Sequence, residues 1–214
     1  MFKGTVKTRQ GRLQAWTDSL LQDHAVFRLF WHNLAEVIPG KVWRSNHPTP
    51  GRLRRWRQHY GFQSVINLRG QRQCGSDVLG RDAAKQMGLP YHDMAFESRN
   101  APHKDRILRF HALYLRLKQE GAFPLLLHCK SGADRAALGS GLVILFEGGS
   151  PAQALAQLHW KHLHFKSSRT GILDSFFKLY AQEAAQHADF MSWLQGAYDE
   201  QRLRDLHQAG ALRI

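Results

Sequence analysis

Residues 124–136 read Pro124-Leu-Leu-Leu-His-Cys-Lys-Ser-Gly-Ala-Asp-Arg-Ala136, and most of what the sequence predicts depends on them. The apolar residues Leu125–Leu127 predict a short buried strand, and the apolar positions from Ala136 to Phe146 predict a helix. A strand, a tight loop and a helix start together form an anion site, because free backbone N–H groups point into the loop and the helix dipole adds partial positive charge. The stretch therefore predicts a site for a phosphate group.

Cys129 lies at the start of this loop, where the same field favours the thiolate, the nucleophilic form of cysteine. Arg135 follows six residues later and offers a planar guanidinium that can hold two phosphate oxygens. Gly132 lets the backbone approach the phosphate closely. The alternative is that Cys129 is an ordinary buried cysteine that packs as a small apolar side chain.

The segment His128–Arg135 resembles the His-Cys-x5-Arg signature of the cysteine-dependent phosphatases. Within that superfamily it is closer to the compact dual-specificity and bacterial tyrosine-phosphatase-like members than to the large receptor-type ones. Three other stretches resemble family sequences more weakly, and these are Val42-Trp43-Arg44-Ser45, Val65-Ile66-Asn67-Leu68-Arg69 and Thr170-Gly171-Ile172-Leu173-Asp174. The resemblance extends over about residues 41–180.

This resemblance implies a metal-independent phosphomonoesterase, without a cofactor, that hydrolyses phosphotyrosine or related phosphoesters through a phosphocysteine intermediate. Cys129 would be the nucleophile. The phosphate-binding residues that it implies are Lys130, Ser131, Gly132, Ala133, Asp134 and Arg135. His128 is expected to support the loop through its ring N–H rather than to act as a base, and the alternative is a histidine that only packs.

The sequence leaves open which residue protonates the leaving oxygen. Asp134 is favoured, because the Asp-Arg ending of the loop resembles that of myotubularin and Sac-type lipid phosphatases, in which this aspartate is thought to be the acid. Glu97 is the alternative, because it lies about where related enzymes carry an aspartate on a loop ahead of the cysteine. Asp93 and Asp105 are further candidates. Asp134 could instead be structural, accepting N–H groups of the loop or orienting Arg135.

Two features keep other functions open. Ala136 stands where family members commonly have Ser or Thr, whose hydroxyl helps the thiolate leave, so one alternative is a non-catalytic phosphate-binding module. Lys130 and the positive charge of the chain resemble the phosphoinositide-directed members, so another alternative is a phosphatase of a lipid, inositol or saccharide phosphate. The resemblance also makes Cys74 a candidate for a disulfide with Cys129 under oxidation.

The chain has 30 Lys and Arg residues against 17 Asp and Glu, a net charge of +13. Such an excess attracts polyanions, so the expected partners are a phosphorylated protein or small phosphoester substrate and an anionic membrane surface. Nucleic-acid binding would follow from charge alone and without specificity. Two cysteines do not make a disulfide scaffold, and no stretch has the ~20 apolar residues of a membrane span. We therefore expect a cytoplasmic protein that is at most peripheral to a membrane.

Alternating strands and helices predict an α/β fold with a mostly parallel central sheet flanked by helices, of the dual-specificity-phosphatase type. Residues 1–40 are predicted to form a basic N-terminal helical extension and residues 41–214 the phosphatase domain. Within the extension, an apolar stripe from Arg12 to Leu34 predicts one helix packed on the core, broken near Asp23. Its aromatic and basic residues, among them Arg28, Phe30 and Trp31, leave a helix that binds a membrane surface or a partner as the alternative.

Finer predictions concern single segments. A helix is predicted for Arg81–Met87, and helical segments are predicted for residues 151–162, 171–186 and 189–207. The clustered histidines are interpreted as surface residues rather than metal ligands, and these are His159, His162 and His164.

Overall fold

The computed structural model describes residue 2 and residues 4–212, and the predictions that fall on residues 1, 3, 213 and 214 lie outside this range. The chain divides into two compact units. Unit 1 holds the described residues up to Ala95 together with Ala122–Gly132. Unit 2 holds Phe96–Gly121 and the described residues from Ala133 onward.

Unit 1 contains a five-stranded sheet made of β1 (Ala35–Ile38), β2 (Val42–Ser45), β3 (Ser64–Asn67), β4 (Tyr91–Asp93) and β5 (Leu125–His128). Its spatial order is β1-β2-β5-β3-β4, with β1 antiparallel to β2 and the other neighbouring pairs parallel. All four residues of β5 are buried, as expected for a central parallel strand with a continuous apolar run. The predicted α/β fold with a mostly parallel sheet is confirmed, although β1 was not predicted.

The helices of unit 1 are α1 (Arg9–Thr17), α2 (Pro50–Tyr60) and α3 (Gly75–Gln86). Helix α2 begins where the sequence predicted it, because the Thr49 hydroxyl accepts the N–H of Arg52 at 3.3 Å and Pro50 occupies the first turn. Gly61 ends the helix with a φ of +72°.

One face of the sheet is covered by helices within unit 1. Leu53 and Trp56 of α2 and Ala84 of α3 pack in one apolar cluster with Val65 of β3 and Leu126 of β5. This cluster fixes the strand that leads into the cysteine loop, because β5 is held between β2 and β3 and is packed against α2 and α3.

The N-terminal helix differs from the prediction. Helix α1 ends at Thr17, a π-helical turn covers Asp18–Gln22, and a separate 3-10 turn covers Ala25–Leu29. His24 separates the two turns with a φ of 54°, a left-handed conformation that cannot continue a helix. The break predicted near Asp23 is confirmed, whereas the helix predicted to continue to Leu34 is wrong, because only a 3-10 turn, Ala25–Leu29, follows the break.

The packed face of α1 combines a small residue with a large one, because Trp16 packs against the cluster that contains Ala15 and Leu79. Ala15 is fully buried, whereas Leu13 is 67% exposed. The cause is a close approach to α3, since a Cβ added at Gly75 would lie 1.8 Å from the carbonyl oxygen of Ala15. Large side chains do not fit between backbones at this distance, so Leu13 faces solvent.

Helix α3 begins at Gly75, earlier than the Arg81 start that the sequence predicted. Asp77 in its first turn accepts the N–H of Arg72 at 3.0 Å and an amide hydrogen of Asn67 at 2.9 Å. A carboxylate also interacts favourably with the helix dipole there. These contacts stabilise a first turn that has no apolar periodicity of its own.

The described residues of unit 2 form helices, namely α4 (Lys104–Gln119), α5 (Asp134–Phe146), α6 (Pro151–Leu155), α7 (Ile172–Glu183), α8 (Phe190–Gly196) and α9 (Glu200–Gln208). Helix α6 is shorter than the predicted segment 151–162. The segment 189–207 forms two helices, because the Asp199 side chain caps a new helix by accepting the N–H of Arg202. Among the described residues, no helix is long and apolar enough to cross a membrane.

The core of unit 2 is aromatic. The ring of Phe176 in α7 packs edge-on against Phe190 and Trp193 of α8 and against Tyr198. The hydroxyl of Tyr198 donates to the carbonyl oxygen of Pro102 at 2.6 Å. These contacts fix the C-terminal helices to the segment that precedes α4.

Candidate active site

Cys129 lies at the carboxyl edge of the sheet in unit 1. In the parallel register, His128 of β5 pairs with Ser45 of β2 and with Asn67 of β3, so the three strands end at the same level. Cys129 follows directly and is only 1% exposed. Ligands of parallel sheets bind at this edge, because the loops that follow the strands meet there.

The loop after β5 directs a backbone N–H group at the sulfur. The N–H of Gly132 donates to Sγ of Cys129 at 3.2 Å, an interaction that favours negative charge on the sulfur. Gly132 has a φ of +75°, and a Cβ added to it would lie 2.7 Å from the backbone nitrogen of Asn46. The loop therefore needs glycine at this position for its conformation and for its space.

Three consecutive carbonyl groups of the loop are held by donors of unit 1. The carbonyl oxygen of Lys130 accepts the backbone N–H of His47 at 3.2 Å. That of Ser131 accepts from the side-chain amide of Asn33 at 3.2 Å, and that of Gly132 accepts from the guanidinium of Arg44 at 2.6 Å. In a trans peptide the C=O and the following N–H point in opposite directions. Holding the carbonyls on one side therefore turns the loop N–H groups to the other side, where that of Gly132 meets Cys129.

His128 is fully buried and neutral. Burial lowers its pKa to about 3, and nearby guanidinium groups, chiefly that of Arg69, add to this effect, although the carbonyl of Cys129 opposes it. Nδ1 lies 3.4 Å from the Cys129 carbonyl oxygen, which can only accept, so Nδ1 carries the proton. Nε2 then accepts the hydroxyl hydrogen of Tyr91 at 2.8 Å. A neutral ring with both nitrogens engaged is suited to support rather than to proton transfer.

The buried carboxylate of Asp23 accepts hydrogen bonds from two guanidinium groups of unit 1. Its oxygens accept from Arg69 at 2.9 and 3.1 Å and from Arg28 at 2.8 Å, and Nζ of Lys130 lies 3.5 Å from Oδ1. Burial by itself would raise the pKa of Asp23, but Arg69 and Arg28 hold it well below its ordinary value. The carboxylate therefore stays ionised and orients both guanidinium groups.

Arg69 is electrostatically coupled to the candidate nucleophile. Burial by itself would lower its pKa, but Asp23 and, more weakly, the sulfurs of Cys74 and Cys129 raise it. Arg69 thus adds fixed positive charge near Cys129. Both cysteines are free thiols, and burial raises the pKa of Cys74.

The other predicted phosphate-binding residues belong to unit 2. Ala133 is buried and precedes α5, while Asp134 and Arg135 are the first two residues of that helix and are half-buried. The predicted set is consecutive in the chain, with Lys130, Ser131 and Gly132 in unit 1 and Ala133, Asp134 and Arg135 in unit 2.

His164 connects two carboxylates in unit 2. Its Nδ1 lies 2.8 Å from Oδ1 of Asp134, and its Nε2 lies 2.7 Å from Oδ2 of Asp174. Burial by itself would lower the pKa of His164, but the hydrogen bonds to Asp134 and Asp174 raise it to about 9. At neutral pH the ring is therefore an imidazolium that donates to both carboxylates.

The interpretation of His164 as a surface residue is wrong, because it is only 2% exposed. The sequence pattern did not reveal this, since Asp134 and Asp174 are distant along the chain. Among the described residues, no group of three or more His, Cys, Asp or Glu side chains could hold a metal ion.

A cleft of about 430 Å³ opens in unit 2 next to Asp134. Its other lining residues supply two guanidinium groups, two hydroxyls and two apolar side chains, and these are Arg99, Arg169, Ser168, Thr170, Leu163 and Phe165. Asp134 is the one carboxylate in this lining.

The other candidate acids lie elsewhere. Glu97, in the loop before α4, forms an ion pair with Arg106 at 3.3 Å. Asp93 ends β4 in unit 1 and forms an ion pair with Arg81 at 2.6 Å. Asp105 is exposed in the first turn of α4. None of these three carboxylates is among the residues that line the cleft.

Sequence reasoning assigned no role to four residues that hold other groups in place, three of them in unit 1 and one, His164, in unit 2. Arg44 and Arg69 fall in stretches that resembled the family, so a signal for them was present. His164 and Asp23 had none, because each acts through partners that are far away in the sequence.

No protein-family model matches the chain, and comparison with curated proteins finds no significant match. Solved structures do resemble it. The core catalytic domain of the PP-IP phosphatase Siw14 from S. cerevisiae has 14% sequence identity and a TM-score of 0.50, and the alignment covers 84% of this chain and 94% of that one. TpbA from P. aeruginosa has 18% identity and a TM-score of 0.53, with coverages of 83% and 91%.

PTPMT1 is also similar, with 18% identity, a TM-score of 0.52, and coverages of 72% of this chain and 99% of that one. At these identities the likeness shows the fold. The resemblance to the compact phosphatases that the cysteine loop suggested is confirmed at that level.

Proposed function

We propose that this chain, which has the fold of the compact phosphatases just named, is itself a metal-independent phosphomonoesterase with Cys129 as its nucleophile. The observation that carries the proposal is the Gly132 N–H directed at Sγ of Cys129 at 3.2 Å. Donors on the carbonyl side hold the loop in the conformation that makes this contact. A preorganised donor of this kind stabilises charge in the transition state without reorganising.

The first chemical step transfers the phosphoryl group to sulfur. The Cys129 thiolate attacks phosphorus, the bond to the leaving oxygen breaks, and the acid donates its proton to that oxygen. Arg135 holds two of the remaining phosphate oxygens, together with the loop N–H groups of Lys130, Ser131, Gly132, Ala133, Asp134 and Arg135. The products are the free alcohol and phosphocysteine.

The second step releases phosphate. Water attacks phosphorus as the acid of the first step, now a carboxylate, takes one of its protons. The sulfur leaves as a thiolate, and inorganic phosphate departs. Ala136 provides no hydroxyl to assist this thiolate, so the second step limits turnover.

We assign the acid to Asp134, with Glu97 as the alternative. Asp134 is the carboxylate that lines the cleft, and the His164 ring, 2.8 Å from its Oδ1, orients it, while the attacking water of the second step restores its proton. Glu97 is committed to Arg106 instead. The pH profile of kcat/KM tests the assignment. Asp134→Asn should remove the limb of the profile that reports the acid. Glu97→Gln and the exposed control Asp105→Asn should keep that limb.

Phosphotyrosine and related phosphoesters are the first substrate class in this proposal, in a cytoplasmic setting that keeps Cys129 reduced. The alternative is a lipid, inositol or saccharide phosphate, which is supported by the two guanidinium groups of the cleft and by the fold shared with Siw14, a PP-IP phosphatase. Specific nucleic-acid binding is not part of the proposal.

Turnover of para-nitrophenyl phosphate in the presence of a chelator tests the activity. The unaltered protein should release nitrophenol, and Cys129→Ser should release none while keeping the same circular dichroism spectrum.

A second candidate function, a non-catalytic phosphate-binding module, is favoured by Ala136. Phosphate binding without turnover by the unaltered protein would establish that module and overturn the enzyme.

A further inference from the structure

The segment between α6 and α7 of unit 2 exposes large apolar side chains. Trp160 is 70% exposed, Phe165 56% and Leu163 44%. Single exposed apolar residues are common on protein surfaces, but three within six positions form a patch that calls for a partner. We call residues 160–169 the docking segment.

The docking segment is also strongly basic. Lys161, Lys166 and Arg169 are all exposed. No acidic residue occurs between Glu147 and Asp174. Apolar and cationic side chains therefore occur together in a segment that has no acidic residue of its own, and the carboxylate of Asp134 beside it is paired with His164.

The segment is held in a shape that keeps these side chains outward. His164 is anchored at its centre between Asp134 and Asp174, and its neighbours Leu163 and Phe165 remain exposed on either side of it. Leu163 itself has a left-handed φ of 62°. The exposed side chains are thus presented by an anchored turn, which lowers the entropy cost of binding.

We propose that the docking segment binds the surface of an anionic lipid bilayer. Trp, Phe and Leu side chains enter the headgroup region, while Lys and Arg side chains interact with lipid phosphates. A protein partner is the less suitable occupant, because protein interfaces are depleted in lysine at their cores, whereas membrane-surface segments combine lysine with aromatic residues.

Docking would bring the cleft to the lipid. Leu163, Phe165 and Arg169 belong to the docking segment and also line the cleft beside Asp134. The substrate class that fits this arrangement is a phosphomonoester whose alcohol is a membrane lipid. This assignment of substrate rests on the proposed function, whereas the docking surface does not.

A second exposed apolar patch lies in unit 1, where Phe27 is 70% and Phe30 89% exposed. Within residues 25–31 the one cation is Arg28, which is buried against Asp23, and Arg52, which donates to the carbonyl oxygen of Arg28, is buried as well. Charge complementarity therefore favours the docking segment over this patch.

Sedimentation of the full chain with vesicles tests the proposal. The probes are vesicles of phosphatidylcholine alone and of phosphatidylcholine mixed with phosphatidylglycerol. The unaltered protein should bind the mixed vesicles, and less so as salt is raised. Trp160→Ala should weaken binding about tenfold or more, and Lys161→Gln and Lys166→Gln about fivefold each.

Matched controls lie in α4 of the same unit, where Leu115 is 41% exposed and Arg109 is also exposed. Leu115→Ala and Arg109→Gln should leave vesicle binding unchanged. Failure to bind mixed vesicles would overturn the docking surface. Binding that survives Trp160→Ala, or that is lost instead with Phe27→Ala, would overturn it as well.

Turnover in solution separates this proposal from the proposed function. Trp160→Ala should hydrolyse para-nitrophenyl phosphate as the unaltered protein does, and lose only its activity on a phosphorylated lipid in mixed vesicles. Equal loss on both substrates would contradict the docking role. Vesicle binding by a protein that hydrolyses neither substrate would sustain the docking surface and remove the lipid phosphomonoester as its substrate.

Discussion

Replacing Gly132 by alanine should disturb the loop in a way that the structure allows to be calculated. At a φ of +75° an L-residue costs about 1–2 kcal/mol. The added Cβ would also meet the Asn46 nitrogen at 2.7 Å, the Asn33 Cβ at 2.8 Å and the Ser45 carbonyl carbon at 2.8 Å. Two of these atoms are backbone and cannot rotate away, so overpacking adds about 1–3 kcal/mol.

The assay is urea unfolding, with Gly61→Ala as the matched control. Gly61 has a φ of +72°, and a Cβ there would meet no atom within 4 Å, so it isolates the conformational cost. We expect the free energy of unfolding to fall by about 1–2 kcal/mol for Gly61→Ala and about 2–5 kcal/mol for Gly132→Ala. Turnover of para-nitrophenyl phosphate should fall about 100-fold in Gly132→Ala alone, because the loop must move. Equal costs for the two variants, or full activity of Gly132→Ala, would refute the close approach of this loop to its neighbours.

Three further predictions address charges. His164 has a pKa raised from 6.5 to about 9, so the stability that its ion pairs contribute is complete below about pH 6.5 and is lost as pH rises to 9. Urea unfolding should therefore show that the stability difference between the unaltered protein and His164→Asn shrinks by about 3 kcal/mol over this range. A constant difference would contradict the pairing. Asp23→Asn leaves buried guanidinium groups unpaired and should cost about 3–5 kcal/mol at pH 7, against less than about 1 kcal/mol for the more exposed control Asp82→Asn. In the unaltered protein the Asp23 contribution is present above about pH 4 and is lost as pH falls through its lowered pKa. Arg135→Lys keeps the charge but loses the planar fork, so kcat for para-nitrophenyl phosphate should fall about 10²–10³-fold, and retention of activity would exclude a bidentate role.

The local chemistry of the chain made the centre of the fold predictable. Leu125–Leu127 is a continuous apolar run and forms the central strand, and Gly132 takes the left-handed conformation that only glycine adopts easily. Thr49 and Pro50 placed the start of α2 correctly. Each of these signals lies within a few residues of the structure that it determines.

The parts that sequence reasoning missed depend on contacts between distant residues. The packed face of α1 is set by the close approach at Gly75, which no periodicity in residues 9–17 could show. His164 looked like a surface histidine, because its two carboxylate partners lie on other helices. Asp23 appeared only as a break in a helix, although it orients two guanidinium groups.

A covalent intermediate on Cys129 tests the central claim most directly. Para-nitrophenolate leaves without much help from an acid, so Asp134→Asn should form phosphocysteine and break it down slowly. After rapid quenching with this substrate, mass spectrometry of the peptide that contains Cys129 should find phosphate on the sulfur, more in Asp134→Asn than in the unaltered protein. Release of nitrophenol with no phosphate on Cys129 in either protein, or with phosphate on another side chain, would contradict the claim.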